Sequence, residues 1–285
     1  DVIVLSIIFS RTVSVDFSLF FNLLKQLALG IGIGFTIGLT GIGAGVLVVP
    51  SLIYIIGLSP VNAVGTGLLY SMLSRIYAIS EHSRLGTIRK RTAFYIILGG
   101  VPAVLVASFL VMRLARIIGN EFDLILKAVI ALVMFMTWIL MLVDLITRRK
   151  SGSETYYVPP KEFPHRRKFY CIGAGAVLGF LIGSTSIGGG VFLIPVLAAV
   201  FRLSPDNTVG TSNLTATVMS AMGSLAYLLG GNVNLLTAAI MLIGSIPGIW
   251  FGCKLLVRIP HRVLASILFA TVTVSMIVML AGVKK

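Results

Sequence analysis

Two stretches of the chain hold most of the residues whose types and spacing could do chemistry. One reads Thr40-Gly41-Ile42-Gly43-Ala44-Gly45-Val46, then Pro50, Leu58-Ser59-Pro60, Asn62 and Val64-Gly65-Thr66. The other reads Thr185-Ser186-Ile187-Gly188-Gly189-Gly190-Val191, then Pro195, Leu203-Ser204-Pro205, Asn207 and Val209-Gly210-Thr211. The chemistry they suggest is the binding of a small anion. A helix that begins within a membrane leaves its first backbone N–H groups unpaired and carries partial positive charge there. Gly43-Ala44-Gly45 and Gly188-Gly189-Gly190 lack bulky side chains at such starts, so an anion could approach the backbone and be cradled by it. The same glycines would equally permit tight helix crossing, and the sequence alone leaves both readings open.

Polar residues inside apolar segments extend the set. Thr66, Ser186 and Thr211 could donate hydrogen bonds to an oxyanion, although a single Ser or Thr commonly bonds back to its own helix. Asn213 stands out because an amide is costly to bury unpaired. Asn62 and Asn207 follow the Ser-Pro pairs and are read as caps or loop fixtures. Arg75 is read as the one basic residue inside a span. Charge at that depth is rare and tends to be functional. Arg75 also stands only five residues before Ser80, so its stem could instead snorkel toward the polar loop that follows; both readings stay open. Lys25, near a helix start, is read as snorkelling. The expected binding set is therefore Gly43, Ala44, Gly45, Thr66, Arg75, Ser186, Gly188, Gly189, Gly190, Thr211 and Asn213. No catalytic residue, cofactor or metal is expected. Carboxylates are nearly absent from the apolar segments, and no Ser-His-Asp, paired-carboxylate, Walker-type or Cys/His ligand constellation occurs.

The two stretches are copies. Residues 30–66 align without a gap on residues 175–211 and match at 19 of 37 positions, always at an offset of 145. Gly, Pro, Ser, Asn and Thr carry many of the matches, which a shared taste for apolar residues would not produce. The same offset pairs Gly99 with Gly244, Pro102 with Pro247 and Arg113 with Arg258. An internal duplication thus covers most of the 285 residues.

The elements that position these copies must lie in a membrane. The chain is 57% hydrophobic and only 11% charged, with a mean hydropathy of +1.04, against about 25% charge in soluble domains. Its apolar runs are long and continuous, so the fold class is an all-α polytopic membrane protein and not a barrel. The net charge of +14 sits in short loops, where it sets orientation, and no aromatic-basic interleaving suggests nucleic acid. Helices are expected at 17–40, 45–57, 60–80 and 92–112, and a further one runs to about 146, forming a first transmembrane repeat at 17–146. A basic cytoplasmic linker follows at 147–168. The second repeat, 169–285, has helices expected at 169–185, 190–201, 205–229, 235–255 and 263–282. The segment 45–57 is too short to cross easily, about 20 Å at 1.5 Å per residue.

Loop charge relates the halves. The loop 81–91 carries Arg84, Arg89, Lys90 and Arg91, whereas its counterpart, Gly230-Gly231-Asn232-Val233-Asn234, carries none. Basic loops stay on the cytoplasmic side, so equivalent loops should lie on opposite sides. Two inverted-topology repeats with eight to ten transmembrane helices follow, the short or broken ones at the Gly-rich stretches. Lys284 and Lys285 would then lie outside, against the trend. Such repeats with broken helices are the usual build of secondary transporters.

Ser186-Ile187-Gly188-Gly189-Gly190-Val191-Phe192-Leu193-Ile194-Pro195, with Leu203-Ser204-Pro205 and Val209-Gly210-Thr211, resembles the signature of the TauE/SafE, or sulfite exporter, membrane family, departing only by Ser186 in place of the first Gly. The copy at 41–66 resembles the same signature, although Ala44 stands where the second copy has Gly189. The resemblance implies a multi-pass permease of the prokaryotic cytoplasmic membrane that moves small sulfur-containing anions such as sulfite or organosulfonates, often outward. A small-anion channel, or a transporter of another solute in the same family, stays open. The expected partners are the anionic substrate and the lipid bilayer, without nucleic acid; a homo-oligomer is compatible with the sequence.

The inversion is testable with cysteines. In a variant with Cys171 and Cys253 replaced by Ser, Ser83→Cys and Asn232→Cys should react with a membrane-impermeant maleimide from opposite sides. Labelling of both from one side would rule out the inverted arrangement.

Overall fold

The computed structural model describes residues 2–40, 45–148, 165–199, 201, 203–256 and 261–283. Among these residues there are helices and turns but no strand. The helices are α1 (Val2–Thr40), α2 (Gly45–Ser51), α3 (Pro60–Arg84), α4 (Lys90–Ile118), α5 (Asn120–Arg148), α6 (His165–Thr185), α7 (Leu193–Ala199), α8 (Pro205–Leu229), α9 (Leu235–Leu256) and α10 (His261–Val283). The linker expected at 147–168 falls mostly outside the described residues.

Local chemistry explains the boundaries. Pro60 and Pro205 open α3 and α8, where a missing N–H costs nothing. The Asn207 amide donates to Ser204 Oγ at 2.5 Å and fixes the turn before α8. Pro50 lacks the N–H that would continue α2, and the chain widens into a π-helical turn at Leu52–Ile56 that ends on Gly57 at φ 83°. The equivalent segment behaves differently from the helix expected at 190–201. Gly188, at φ 130°, begins a turn, and helix starts only at Leu193, whose N–H reaches the Gly188 carbonyl at 3.3 Å. In the first half, α4 does not stop at residue 112. Nothing between Arg113 and Ile118 breaks a helix, and the break comes at Gly119, φ 69°. Helix α1 also starts earlier than expected, at Val2.

Packing pairs helices across the halves. Helix α1 lies against α9, α6 against α4, α3 against α8, and α5 against α10. The first two contacts are backbone to backbone. A Cβ added to Gly30, Gly34 or Gly38 of α1 would fall within 3 Å of the α9 backbone at Met241, Ser245 or Ile249. A Cβ on Gly175, Gly179 or Gly183 of α6 would do the same against α4 at Ile96, Gly100 or Val104. The glycines spaced four apart thus form the packing face that their spacing predicts. Each α1–α9 pair maps onto an α6–α4 pair through the same 145-residue shift, 30 to 175 and 241 to 96. Both helix pairs run parallel, since the touching residues ascend together.

Among the described residues, five helices are long and apolar enough to cross a membrane, at Phe20–Leu39, Lys90–Ile118, Asn120–Val143, Lys168–Thr185 and Leu235–Leu255. They show lipid the exposed side chains of Phe94, Val106, Phe109, Ile243, Trp250 and Phe251, among others. Helices α3 and α8 are 25 residues each, about 37 Å at 1.5 Å per residue, yet they are too polar for that set. They sit inside the bundle, so their buried Thr66, Ser71, Arg75, Thr211, Asn213, Thr215 and Ser220 need not face lipid. Lys127 corrects the reading of Arg75 as the sole basic residue in a span. It lies within the α5 span, half-buried, its ammonium 5.9 Å from the centre of the Tyr54 ring.

The glycine contacts predict a sharp contrast within one helix. Gly179→Leu should lower the thermal midpoint strongly, since overpacking costs on the order of 1–3 kcal/mol or more. Gly173→Leu, whose Cβ would meet nothing within 4 Å, should leave it within a degree or two of the parent.

Candidate functional site

The polar centre forms where α3, α8 and the loop 186–190 meet. On α3, Gly67, Ser71 and Arg75 are four residues apart and share a face. A Cβ on Gly67 would lie 3.0 Å from Ser186 Oγ, and a Cβ on Gly189 would lie 2.5 Å from Arg75 Nη1 and 3.1 Å from Nη2. This face of α3 therefore lies along the loop, with the guanidinium resting on Gly189. Only glycine leaves room for it. The opposite wall is α8, where Ala216 Cβ would be 2.9 Å from the same added carbon. Asn213, Thr217 and Ser220 flank Ala216 on α8.

The electrostatics are lopsided. Arg75 is 3% exposed, and its Nε and Nη1 have no hydrogen-bond partner among the described residues. Ser71 Oγ, Ser186 Oγ and Thr217 Oγ1 are also buried without partners there. Asn213 is 5% exposed. Buried polar groups are normally paired, and a buried cation without a counter-charge costs several kcal/mol on the order of an ion's desolvation penalty. A buried guanidinium beside Gly189 whose donors have no acceptor among the described residues is an arrangement that an anion can complete.

The loop geometry carries its own strain. Ser186 adopts φ 60°, the left-handed region that a Gly would occupy without cost. This is the position where the first copy has Gly41. The strain aims Ser186 Oγ at α3, while its carbonyl abuts Gly45 of the first copy. The residues before it are occupied: Ser184 Oγ donates to Phe180 O at 2.8 Å and Thr185 Oγ1 to Leu181 O at 2.7 Å. Among the described residues, no hydrogen bond engages the N–H groups of Gly188, Gly189 or Gly190. The seven-residue α7 starts after them, so the positive end of a helix is not what polarises this loop; Arg75 supplies the charge.

The expected binding residues divide accordingly. Arg75, Ser186, Gly188, Gly189 and Gly190 gather at the loop, Asn213 stands one turn from Ala216, and Gly45 touches the Ser186 carbonyl. Gly43 and Ala44 lie outside the described residues. The Thr66 hydroxyl accepts the Asn234 N–H at 2.9 Å, and the Thr211 hydroxyl accepts the Arg89 N–H at 3.1 Å. Both threonines thus anchor the start of a helix from the other half, away from the loop contacts. Asn62 is partly buried, and its Oδ1 has no partner among the described residues. Thr217 was legible in the sequence as the residue four after Asn213, hence on its face; Ser71 is four before Arg75 in the same way. Gly67 and Ala216 give no such signal. Among the described residues, no group of three or more His, Cys, Asp or Glu could hold a metal ion.

Comparison with known proteins bears on this geometry. The family model described as "Sulfite exporter TauE/SafE" matches residues 26–279. The chain is 29% identical over 247 residues to the "Probable membrane transporter protein YjnA" of Bacillus subtilis, covering 87% of this chain and 95% of that protein. It is 28% identical to the "Probable membrane transporter protein YdhB" of the same organism, covering 87% and 96%. It is 26% identical to the "Probable membrane transporter protein MJ0441" of Methanocaldococcus jannaschii, covering 85% and 90%. No solved structure matches. The match spans both Gly-rich stretches, the paired helices and Arg75, and the chain belongs to the sulfite exporter TauE/SafE family of membrane transporters.

Proposed function

We propose that this transporter moves a small oxyanion, sulfite or an organosulfonate, through a site formed by Arg75, Ser71, Ser186, Gly189, Asn213 and Thr217. The observation that carries the reading is the Arg75 guanidinium, buried against Gly189 with two donor nitrogens lacking a partner among the described residues. A tetrahedral or pyramidal oxyanion offers several acceptors to a guanidinium and hydroxyls at once. The family's description names sulfite and export, which supports both the substrate class and the outward direction. Relatives in Bacillus and Methanocaldococcus support the prokaryotic cytoplasmic membrane.

The mechanism that fits is alternating access between two inverted repeats. Three observations support it: the 145-residue offset, the parallel α1–α9 and α6–α4 pairs, and the twin hydrogen bonds that Thr66 and Thr211 accept. Asn234 and Arg89, which those threonines hold, are themselves 145 residues apart. In this reading the two bonds lie at opposite membrane faces, and the site lies between them where the Gly-rich stretches meet. Arg75 has Ser220 as its repeat counterpart, so the charge comes from one half only.

Binding and stability separate a ligand-binding Arg75 from a structural one. Sulfite or sulfoacetate should raise the unfolding midpoint of the purified protein with concentration. Arg75→Met should abolish that shift, weakening binding by about tenfold or more. It should also leave the ligand-free protein as stable as the parent or more stable, because an unpaired buried cation is removed. If Arg75→Met unfolds the protein, or the anion shift survives it, Arg75 is not the anion's partner.

Gly189→Ala tests the fit of the loop. Its methyl would displace the guanidinium, so uptake of labelled sulfite into proteoliposomes should fall about tenfold or more, with the fold retained by circular dichroism. Counter-exchange of label by unlabelled substrate would distinguish transport from a channel. Unchanged flux in Gly189→Ala would place the pathway elsewhere.

A further inference from the structure

A second site lies on the far face of α1 from its glycine seam. A groove of about 420 Å³ runs there between α1 and α2, with Lys25 at one end, Ala28, Gly32 and Thr36 along one wall, and Leu47 and Ser51 on the other. Its depth in the membrane follows from helix register. Gly30, Gly34 and Gly38 face Met241, Ser245 and Ile249, a constant difference of 211, which sets Lys25 level with Leu236 in the first turn of α9. That helix starts directly after the polar turn Gly230–Asn234, so Lys25 stands at the boundary between water and lipid. Thr36 lies eleven residues deeper, about 16 Å at 1.5 Å per residue, roughly one leaflet of a 30 Å hydrocarbon core.

The groove's chemistry is as specific as its length. The hydroxyls of Thr36 and Ser51 donate to their own helices, to Gly32 O at 2.7 Å and Leu47 O at 2.8 Å, leaving walls of carbon. Gly32, unlike Gly30 and Gly34, has open space where a Cβ would be. The one charge is the Lys25 ammonium, 4.7 Å from the centre of the Phe21 ring and without a carboxylate partner among the described residues. We propose that the groove holds one anionic phospholipid, its phosphodiester headgroup on Lys25 and an acyl chain along Gly32 toward Ser51. Headgroup charge then decides preference, and the apolar walls hold the chain. The wall formed by α2 begins at Gly45, which abuts Ser186, so the bound lipid braces the segment that touches the polar centre.

Native mass spectrometry of the full chain, purified and exposed to phosphatidylglycerol or phosphatidylcholine, tests this. The parent should retain one phosphatidylglycerol about fivefold more tightly than phosphatidylcholine, the gain expected of one lysine near the surface. Lys25→Gln should level the two lipids, and Gly32→Trp should lose both while the thermal midpoint holds. Should Gly32→Trp destabilise the protein, Ala28→Phe, also on the exposed wall, takes its place. Equal retention of the two lipids by the parent, a preference that survives Lys25→Gln, or retention undiminished in the groove-filled variant overturns the proposal.

Discussion

The structure depends on how closely two helix backbones can approach in lipid. Water supplies no hydrophobic drive between helices there, because lipid tails are as apolar as leucine, and association rests on van der Waals contact and interhelical hydrogen bonds. Glycines four apart on α1 and α6 bring these helices against the backbones of α9 and α4. Each contact joins one half of the chain to the other. The halves are therefore interlocked: neither repeat packs its first helix on its own fourth. The polar helices α3 and α8 pack on each other and on the seam helices α9 and α4.

Enclosure explains why α3 and α8 tolerate their composition. A helix facing lipid must be apolar on its outer side, whereas one wrapped by other helices can carry Ser, Thr, Asn and Arg inward. The apolar helices α4, α5 and α9 present phenylalanine, tryptophan and aliphatic side chains outward. Within that shell, some hydroxyls are satisfied locally, as with Thr215 donating to Thr211 O at 2.9 Å. Others, Ser71 Oγ, Ser186 Oγ and Thr217 Oγ1, have no partner among the described residues.

Arg75 resolves a tension that the duplication creates. Two identical cradles facing each other across an axis would be equivalent, and a single anion could not satisfy both. At the offset of 145 the two copies differ in sequence, Ser220 being the counterpart of Arg75 and Ala44 that of Gly189. The charged side chain belongs to the first half but rests on the glycine loop of the second. The proposed binding centre is thus completed by contacts between halves, as the packing is.

Much was legible before any coordinates. Composition and continuous apolar runs specified a helical membrane protein, because a bilayer core admits no unpaired backbone. The repeated Gly, Pro, Ser and Asn at one offset marked the duplication, since such residues are costly inside helices unless something requires them. The glycine spacing marked the packing face of α1, and the doubled signature marked the family. Tertiary structure alone decided which polar groups are free. Thr66, Thr211 and Ser186 look alike in the sequence, each a hydroxyl within two residues of a glycine. Two of them receive backbone N–H groups from residues more than a hundred positions away, and the third, in a left-handed turn, has no partner among the described residues. The sequence likewise could not say whether Arg75 snorkels or turns inward, because its long stem permits both. The absence of a side chain at Gly189, 114 residues later, opens the space into which it turns. Periodicity and composition are local properties that a chain states by itself; the pairing of a buried donor depends on distant segments, and only the packed fold brings those together.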